Sequence, residues 1–472
     1  MPNSPVAPSN TTDALADSVR RKVAWHILPL MFVLYVIAYL DRANAGFAKL
    51  PMEQALGFPD YVFGWGFGLF FAGYLFLEVP GALLVEYWSA RKWFARILVT
   101  WGFCSMGMAL VQTPVQFYLA RFLLGLAEAG FFPGLIVYFT HWFPQRQRGR
   151  ALGALLIGVP FSLALGARVS ASLLELDWFG LAGWQWLFII EGCPAVLLGL
   201  AVPFLIADRP KDAKWLTPEE REWLEQTLAA ERQANLVSNP MTSRQVLGVR
   251  TMWQLAAGIL VVNLGGYAMV FWLPTAVEGL LASAGRDATP SAVLNWMGPI
   301  YLCGLAGVVI SGRSSDRTGD RKWHCIGGQV LTGVFLAAST IPGQPWPAIF
   351  AWLCLSGFFA YFWIAPFWAL PTQALSAAAA AVAVGIINMC ANVAGLLGSP
   401  VVGEMKSAGF GDRACLLLLA GCYVAGGLIL VTVKVRRDEG VKLQAPPAGN
   451  PEVVVTGNVS ATLRSSVTDQ IA

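Results

Sequence analysis

The sequence predicts an all-α membrane protein of about twelve transmembrane helices arranged as two six-helix halves. Three observations carry this. The 472-residue chain is 56% hydrophobic and only 13% charged, whereas a soluble domain is nearer ~25% charged. Its apolar residues gather into about twelve runs, each near the ~20 residues that a bilayer requires. A charged motif after the second run returns after the eighth, about half a chain later, as two six-helix repeats would require. The spans must be helices, because open strands leave backbone groups unsatisfied in lipid.

The elements follow in order. Residues 1–24 are polar and read as a cytoplasmic tail with no cleavable signal. Spans are expected near 27–48, 61–85, 94–112, 115–140, 151–173 and 184–206, which makes 25–207 the N-terminal half. Residues 208–250 form a polar cytoplasmic linker. Within it, Thr217-Pro218-Glu219-Glu220 supplies an N-cap, a proline at the first helical position and a capping-box glutamate. Trp215, Leu216, Trp223, Leu224 and Leu228 would let this helix rest on the membrane face. Further spans are expected near 251–276, 292–312, 324–342, 346–370, 378–402 and 414–433, within a C-terminal half of 251–435. Residues 436–472, rich in Pro, Gly, Val and Ser, read as a disordered cytoplasmic tail.

Lysine and arginine set the orientation. Arg20, Arg21 and Lys22 precede span one, Arg91 and Lys92 follow span two, and Arg146, Arg148 and Arg150 follow span four. Arg209, Lys211 and Lys214 lie in the linker, and Arg313, Arg317, Arg321 and Lys322 follow span eight. The opposite loops hold few, Lys49 and Arg286 among them. Both termini and the linker are therefore expected on the cytoplasmic side.

Several functions are excluded by pattern. The eight cysteines lie singly with no Cys/His cluster, so neither a disulfide framework nor a metal site is expected. The net charge of +4 is small and scattered, which argues against nucleic acid. No catalytic or phosphate-binding motif is present, so no enzyme and no cofactor are expected. Gly64-Trp65-Gly66-Phe67-Gly68 is glycine-rich but lies in an apolar span, where helix contact explains it better.

Five ionisable residues fall inside the spans of the first half: Asp41, Arg42, Glu78, Arg121 and Glu128. A charge at bilayer depth costs at least about 2.5–3.5 kcal/mol, so retained charges point to a solute or ion path. Arg121 and Glu128 are seven apart, so two helical turns put them on one face, about 10.5 Å apart along the axis. Arg suits anchoring a carboxylate through its fork, and Glu suits holding and releasing a proton. The same pair could instead brace helices. Asp41 and Arg42 point about 100° apart on a helix, so one can face a solute while the other faces a neighbouring helix.

Gly312-Arg313-Ser314-Ser315-Asp316-Arg317-Thr318-Gly319-Asp320-Arg321-Lys322 resembles the signature of the major facilitator superfamily. A degenerate copy, Glu86-Tyr87-Trp88-Ser89-Ala90-Arg91-Lys92, stands after span two. Tyr39-Leu40-Asp41-Arg42-Ala43-Asn44-Ala45-Gly46-Phe47-Ala48 resembles the first-span segment of its anion:cation symporter family. Gly73-Tyr74-Leu75-Phe76-Leu77-Glu78-Val79-Pro80 and the Arg121–Gly130 segment support it, as does Phe271-Trp272-Leu273-Pro274-Thr275. Members of that family include bacterial permeases for phthalate, tartrate, hydroxyphenylacetate and sugar acids.

The resemblance implies the major facilitator fold, alternating access and residue roles. Arg42 and Arg121 would flank a substrate carboxylate, and Asp41 and Glu128 would carry the coupling proton. Tyr39 and Tyr74 would line the cavity, with Asn388, Asn392 and a span-ten aromatic, Trp368 or Trp363, contributing from the second half. Glu86, Arg91, Asp316, Arg317 and Arg321 would form the cytoplasmic gating motif. Val159-Pro160-Phe161, with Phe362, Phe367 and Trp368 opposite, suggests a cavity less polar than a sugar acid wants. Glu78 is expected in helix packing or a cytoplasmic-side pair, Glu191 in a pair near the intracellular half, and Arg168 snorkelling outward. The expectation is proton-coupled symport of a small organic carboxylate, aromatic or a hydroxy or dicarboxylic acid with a tilt toward a partly apolar one, by a monomer in a bacterial inner membrane. An antiporter, a uniporter or a sugar-acid symporter is the alternative.

Overall fold

The computed structural model describes residues 9–237, 243–375 and 377–435. The expected C-terminal tail lies outside these residues, as do residues 1–8 of the N-terminal tail and part of the linker. The first half comprises α1 (Ser9–Phe47), short α2 (Lys49–Leu56), α3 (Asp60–Tyr87), α4 (Ala90–Gly107), α5 (Pro114–Glu128), α6 (Phe131–Thr140), α7 (Gln145–Leu156), α8 (Gly158–Leu173) and α9 (Gly183–Leu205). The linker carries α10 (Pro218–Val237) and α11 (Ser243–Leu247). The second half comprises α12 (Arg250–Ser283), α13 (Pro290–Thr318), α14 (Lys322–Ala338), α15 (Trp346–Phe362), α16 (Ile364–Ala374), α17 (Ala377–Ser407) and α18 (Asp412–Val431).

Among the described residues, eleven helices are long and apolar enough to cross a bilayer, counting α5 with α6, α7 with α8, and α15 with α16 as one crossing each. The twelfth place is held by α14, whose 17 residues lie between α13 and α15 in sequence. At 1.5 Å per residue it spans about 26 Å, at the short end of what a bilayer core requires.

Three crossings are interrupted for identifiable reasons. Gly130 has φ 81°, which ends α5 and starts α6 in a new direction. Pro160 and Pro366 lack the N–H that would bond the carbonyl four residues earlier, so the helix loosens at α7/α8 and α15/α16.

The halves meet through α3 on α17, α8 on α13 and α1 on α12. Their contact is closest at the end remote from the linker, called here the far end. A Cβ on Gly64 would lie 3.0 Å from the Gly403 Cα and from the Ser399 carbonyl. A Cβ on Gly68 would lie 2.7 Å from the Leu396 carbonyl. Small residues let two helix backbones approach closely in lipid, so the glycine-rich run is a helix contact, as its sequence suggested. The Tyr61 N–H donates to Ser407 Oγ at 3.0 Å, and Trp65 Nε1 donates to Glu404 Oε1 at 2.9 Å. Arg168 Nη1 donates to Asn295 Oδ1 at 3.1 Å, so this arginine bridges the halves rather than only reaching outward.

At the linker end one element is longer than its span and one expectation is corrected. First, the helix that carries the span expected near 27–48 begins at Ser9, so part of the polar tail is helical. Val19 and Val23 are buried, Ser18 Oγ donates to Glu220 at 3.0 Å, and Lys22 Nζ pairs with Glu220 at 2.8 Å. Second, α10 has the anticipated capping box: Thr217 Oγ1 accepts from the Glu220 N–H, and Glu220 Oε2 accepts from the Thr217 N–H. Its apolar face, however, packs on protein rather than lipid. Leu216, Leu224 and Leu228 are buried, and Trp215 stacks between His26 at 4.3 Å and Trp142 at 5.5 Å.

Candidate functional site

A cavity of about 150 Å³ lies between the halves at mid-height. That is room for roughly ten waters, or a small organic molecule. Arg42 and Glu128 face each other on its wall, from α1 and α5. Arg42 Nη2 donates to Glu128 Oε1 in a buried ion pair. The guanidinium also lies 5.1 Å from the Tyr39 ring centroid, 5.3 Å from Phe70 and 5.3 Å from Tyr74. Each ring face supports a cation by about 0.5–2 kcal/mol, so the charge stays supported when its acid partner changes.

The two neighbours in the first-span motif separate as helix geometry requires. Asp41 is fully buried and turns away from the cavity. It accepts from Trp101 Nε1, from Ser105 Oγ at 2.8 Å and from Asn44 Nδ2 at 3.2 Å. It therefore has hydrogen-bond donors for partners rather than an arginine, contrary to the picture of two acids beside two arginines.

Arg121 also departs from expectation. It is fully buried and does not line the cavity. Its Nε donates to the Gly66 carbonyl at 3.4 Å, while Nη1 and Nη2 have no hydrogen-bond partner among the described residues. The guanidinium sits 4.9 Å from the Phe70 centroid and 5.8 Å from both Phe67 and Phe271. Phe67 and Phe271 stack across the halves at 4.6 Å. Glu128, two turns along the same helix, bonds Arg42 instead, because α1 brings its cation closer.

Tyr39, Tyr74, Trp368, Asn388 and Asn392 all line the cavity. Both asparagines have a partner the sequence did not suggest. Asn388 Nδ2 donates to Glu78 Oε1, and Asn392 Nδ2 donates to Glu78 Oε1 and Oε2, each at 3.1 Å. Glu78 is thus a contact between halves, behind the cavity wall and one turn beyond Tyr74 toward the linker end. Tyr267 and Asn263 of α12 line the cavity and were missed. The signal available was an Asn four residues before a Tyr, one helical turn along an otherwise apolar span.

The apolar wall is made differently than expected. Val159 lines the cavity, but Phe161, Phe362 and Phe367 do not; Leu156, Leu163, Phe131 and Trp363 take that place. Glu191 is buried nearer the far end than expected, and its Oε1 accepts from Ser170 Oγ at 2.6 Å. At the far end, Lys49 is fully buried between Glu53 at 2.6 Å and Asp60 at 2.8 Å, with the Trp272 ring of the second half 5.0 Å away.

The gating-motif residues pair close to home. Glu86 meets His141 Nε2 at 2.7 Å and Arg209 at 3.8 Å, and Arg91 meets Asp208 at 3.4 Å. Asp316 pairs with Arg321 of its own loop at 2.6 Å, and Arg317 is exposed.

Among the described residues, eleven apolar crossings in two halves, with a cavity between them that holds an ion pair, have the architecture of a membrane transporter. Residues 31–399 match the Major Facilitator Superfamily, and the chain belongs to that family. It is 38% identical over 431 residues to a putative tartrate transporter of Agrobacterium vitis, covering 91% of this chain and 98% of that one. It is 37% identical to a quinolone resistance transporter of Acinetobacter baumannii, covering 90% and 97%. The fold matches the xylose transporter XylE from E. coli in a partially occluded inward open conformation. That match has a TM-score of 0.66, with 87% and 97% of the two chains covered at 15% identity.

Proposed function

We propose that this protein carries a small organic carboxylate into the cell together with protons, by alternating access. The observation that carries the reading is the Arg42–Glu128 pair on the cavity wall. An arginine fork matches a carboxylate in two hydrogen bonds. In the structure that fork is taken by Glu128. A proton on Glu128 removes the competing charge and leaves Arg42 to the incoming anion, so proton and solute bind together. Arg121, with two unbonded nitrogens behind Phe67 and Phe271, is a second anion contact exposed when that stacked pair parts. Asp41 sits behind Arg42 and sets the pose of the first-span motif through Trp101, Ser105 and Asn44.

The excess of lysine and arginine at the linker end favours a cytoplasmic location for both termini and the linker. The far end then faces outward, and Arg91, Asp316, Arg317 and Arg321 hold the cytoplasmic ends. The bacterial relatives favour the inner membrane, with the chain working as a monomer. The name of the Agrobacterium relative favours an organic acid as solute.

The test is a thermal-shift screen of purified protein against tartrate, phthalate, 4-hydroxyphenylacetate and gluconate, followed by proteoliposome uptake of any acid that stabilises it. Accumulation driven by an inward proton gradient supports symport. Counterflow without gradient-driven accumulation means a uniporter or exchanger, and no stabilisation by any acid ends the carboxylate reading.

A further inference from the structure

Glu78 lies outside the cavity but reaches both amides on its second-half wall. Asn388 and Asn392 are four residues apart on α17, one turn, so both side chains share a face. That face borders the cavity, while Glu78 approaches from α3 behind it. An ionised carboxylate has acceptors only, so an amide that meets it must present its nitrogen. Both asparagines do so, and Asn392 commits its nitrogen to both carboxylate oxygens. An amide is planar, with nitrogen and oxygen on opposite arms. Fixing the nitrogens on Glu78 turns the two carbonyl oxygens away from it, on residues that both line the cavity.

From this juxtaposition, we infer that Glu78 is a positioning residue for specificity: it holds Asn388 and Asn392 with their carbonyl oxygens toward the cavity, which selects an acid bearing hydroxyl groups. The inference rests on the carboxylate reading and narrows it. Arg42 on the first-half wall takes the anionic end. The paired acceptors on the opposite wall take hydroxyl hydrogens and repel a second bare carboxylate placed against them. The preferred solute is then a hydroxy acid, discriminated from its deoxy analogue by acceptors that stay unpaired when the hydroxyl is missing.

The experiment compares two acid pairs, tartrate with succinate and 4-hydroxyphenylacetate with phenylacetate, by calorimetric titration of purified protein. Wild type should bind the hydroxy member of at least one pair about tenfold more tightly or better. Glu78→Gln keeps an acceptor at the Oε1 place that both amides share and puts a donor at the Oε2 place, against the Asn392 nitrogen, which turns the Asn392 amide and leaves Asn388 as it was. It should reduce the preference to about threefold or less while leaving the deoxy acid within about twofold of wild type. Asn388→Ala, which removes one acceptor from the cavity wall and leaves Glu78 bonded to Asn392, should also reduce the preference, read as the ratio of the two affinities with no demand on either one alone, if Glu78→Gln does not fold. An unchanged preference in these variants overturns the inference. Equal weakening of both members overturns it too, since a purely structural role would act on both alike. If wild type binds both members of each pair equally, the inference fails while the carboxylate reading stands. If it binds none of the four, the carboxylate reading fails and takes the inference with it.

Discussion

Glu128→Gln is the sharpest probe of coupling. In the structure Arg42 gives a charge-assisted hydrogen bond to Glu128, a contact worth about 1.5–3 kcal/mol, while a neutral amide in its place returns about 0.5–1.5 kcal/mol. The difference, about 1–1.5 kcal/mol, is what an incoming anion no longer has to displace. At about 1.4 kcal/mol per factor of ten, the variant should bind its carboxylate roughly five- to tenfold more tightly near neutral pH. Arg42 is not orphaned, because Tyr39, Phe70 and Tyr74 still surround its charge. The pH sign follows from the same competition. Anion binding to wild type requires a proton on Glu128, so its affinity falls as pH rises, whereas the variant should be flat. The assay is calorimetric titration at about pH 5.5 and pH 8 with the acid the screen selects, beside proteoliposome uptake. The variant should keep counterflow and lose accumulation on a proton gradient. If it binds no more tightly, keeps the wild-type pH dependence and still accumulates solute, Glu128 is not the coupling acid.

Five further outcomes are expected. Arg121→Met replaces an incompletely bonded buried cation by an apolar side chain of similar length, so the melting temperature should hold or rise, by up to about 1–4 kcal/mol in stability. Uptake should vanish all the same; a marked loss of stability would instead make Arg121 a brace. Gly68→Ala would place a methyl 2.7 Å from the Leu396 carbonyl of the other half, so far-end cysteine labelling should increase with folding preserved. Gly73→Ala would place one 2.2 Å from the Phe122 carbonyl of the same half and should instead lower expression and melting temperature together. Thr217→Ala should cost the α10 cap about 1 kcal/mol, read as faster hydrogen exchange in α10. Burial pushes the Glu220 carboxyl up, but bonds from Lys22, the Thr217 N–H and Ser18 outweigh it and hold the group below its ordinary value. Its contribution is therefore full above that value and lost as pH falls through the depressed one. Protection of α10 should be constant from about pH 8 to pH 5 and fall only on stronger acidification, and earlier loss would mean another group controls docking.

What the sequence made legible followed from local rules. The capping box at Thr217 and the 100° divergence of Asp41 and Arg42 each depend on a few neighbouring residues, and each appears as read. Arg42 and Glu128 stood out as charges in apolar helices, Tyr39 and Tyr74 came through the family resemblance, and all four line the cavity. What could not be read was partnership across helices. Spacing put Arg121 and Glu128 on one face, but only the packing of α1 against α5 decides that Glu128 bonds Arg42. Glu78 and the two asparagines are more than 300 positions apart, so no periodicity links them. The burial of Lys49 depends on Trp272 arriving from the other half. The early start of α1 was hidden because its polar N-terminal turns are covered by the linker helix, not by lipid.

The interruptions at Gly130, Pro160 and Pro366 have a mechanical consequence. All three lie within a few residues of cavity-lining side chains: Glu128 and Phe131, Leu156 and Val159, Trp363 and Ile364. Below each joint hangs a short rod, α6 of 10 residues, α7 of 12 and α16 of 11. At 1.5 Å per residue, each is only about 15–18 Å long. A pivot at one end of so short an arm converts a swing of about 15° into roughly 4 Å of travel at its tip. The lower floor of the molecule can therefore swing shut around a solute without the full-length columns of either half having to turn as one piece.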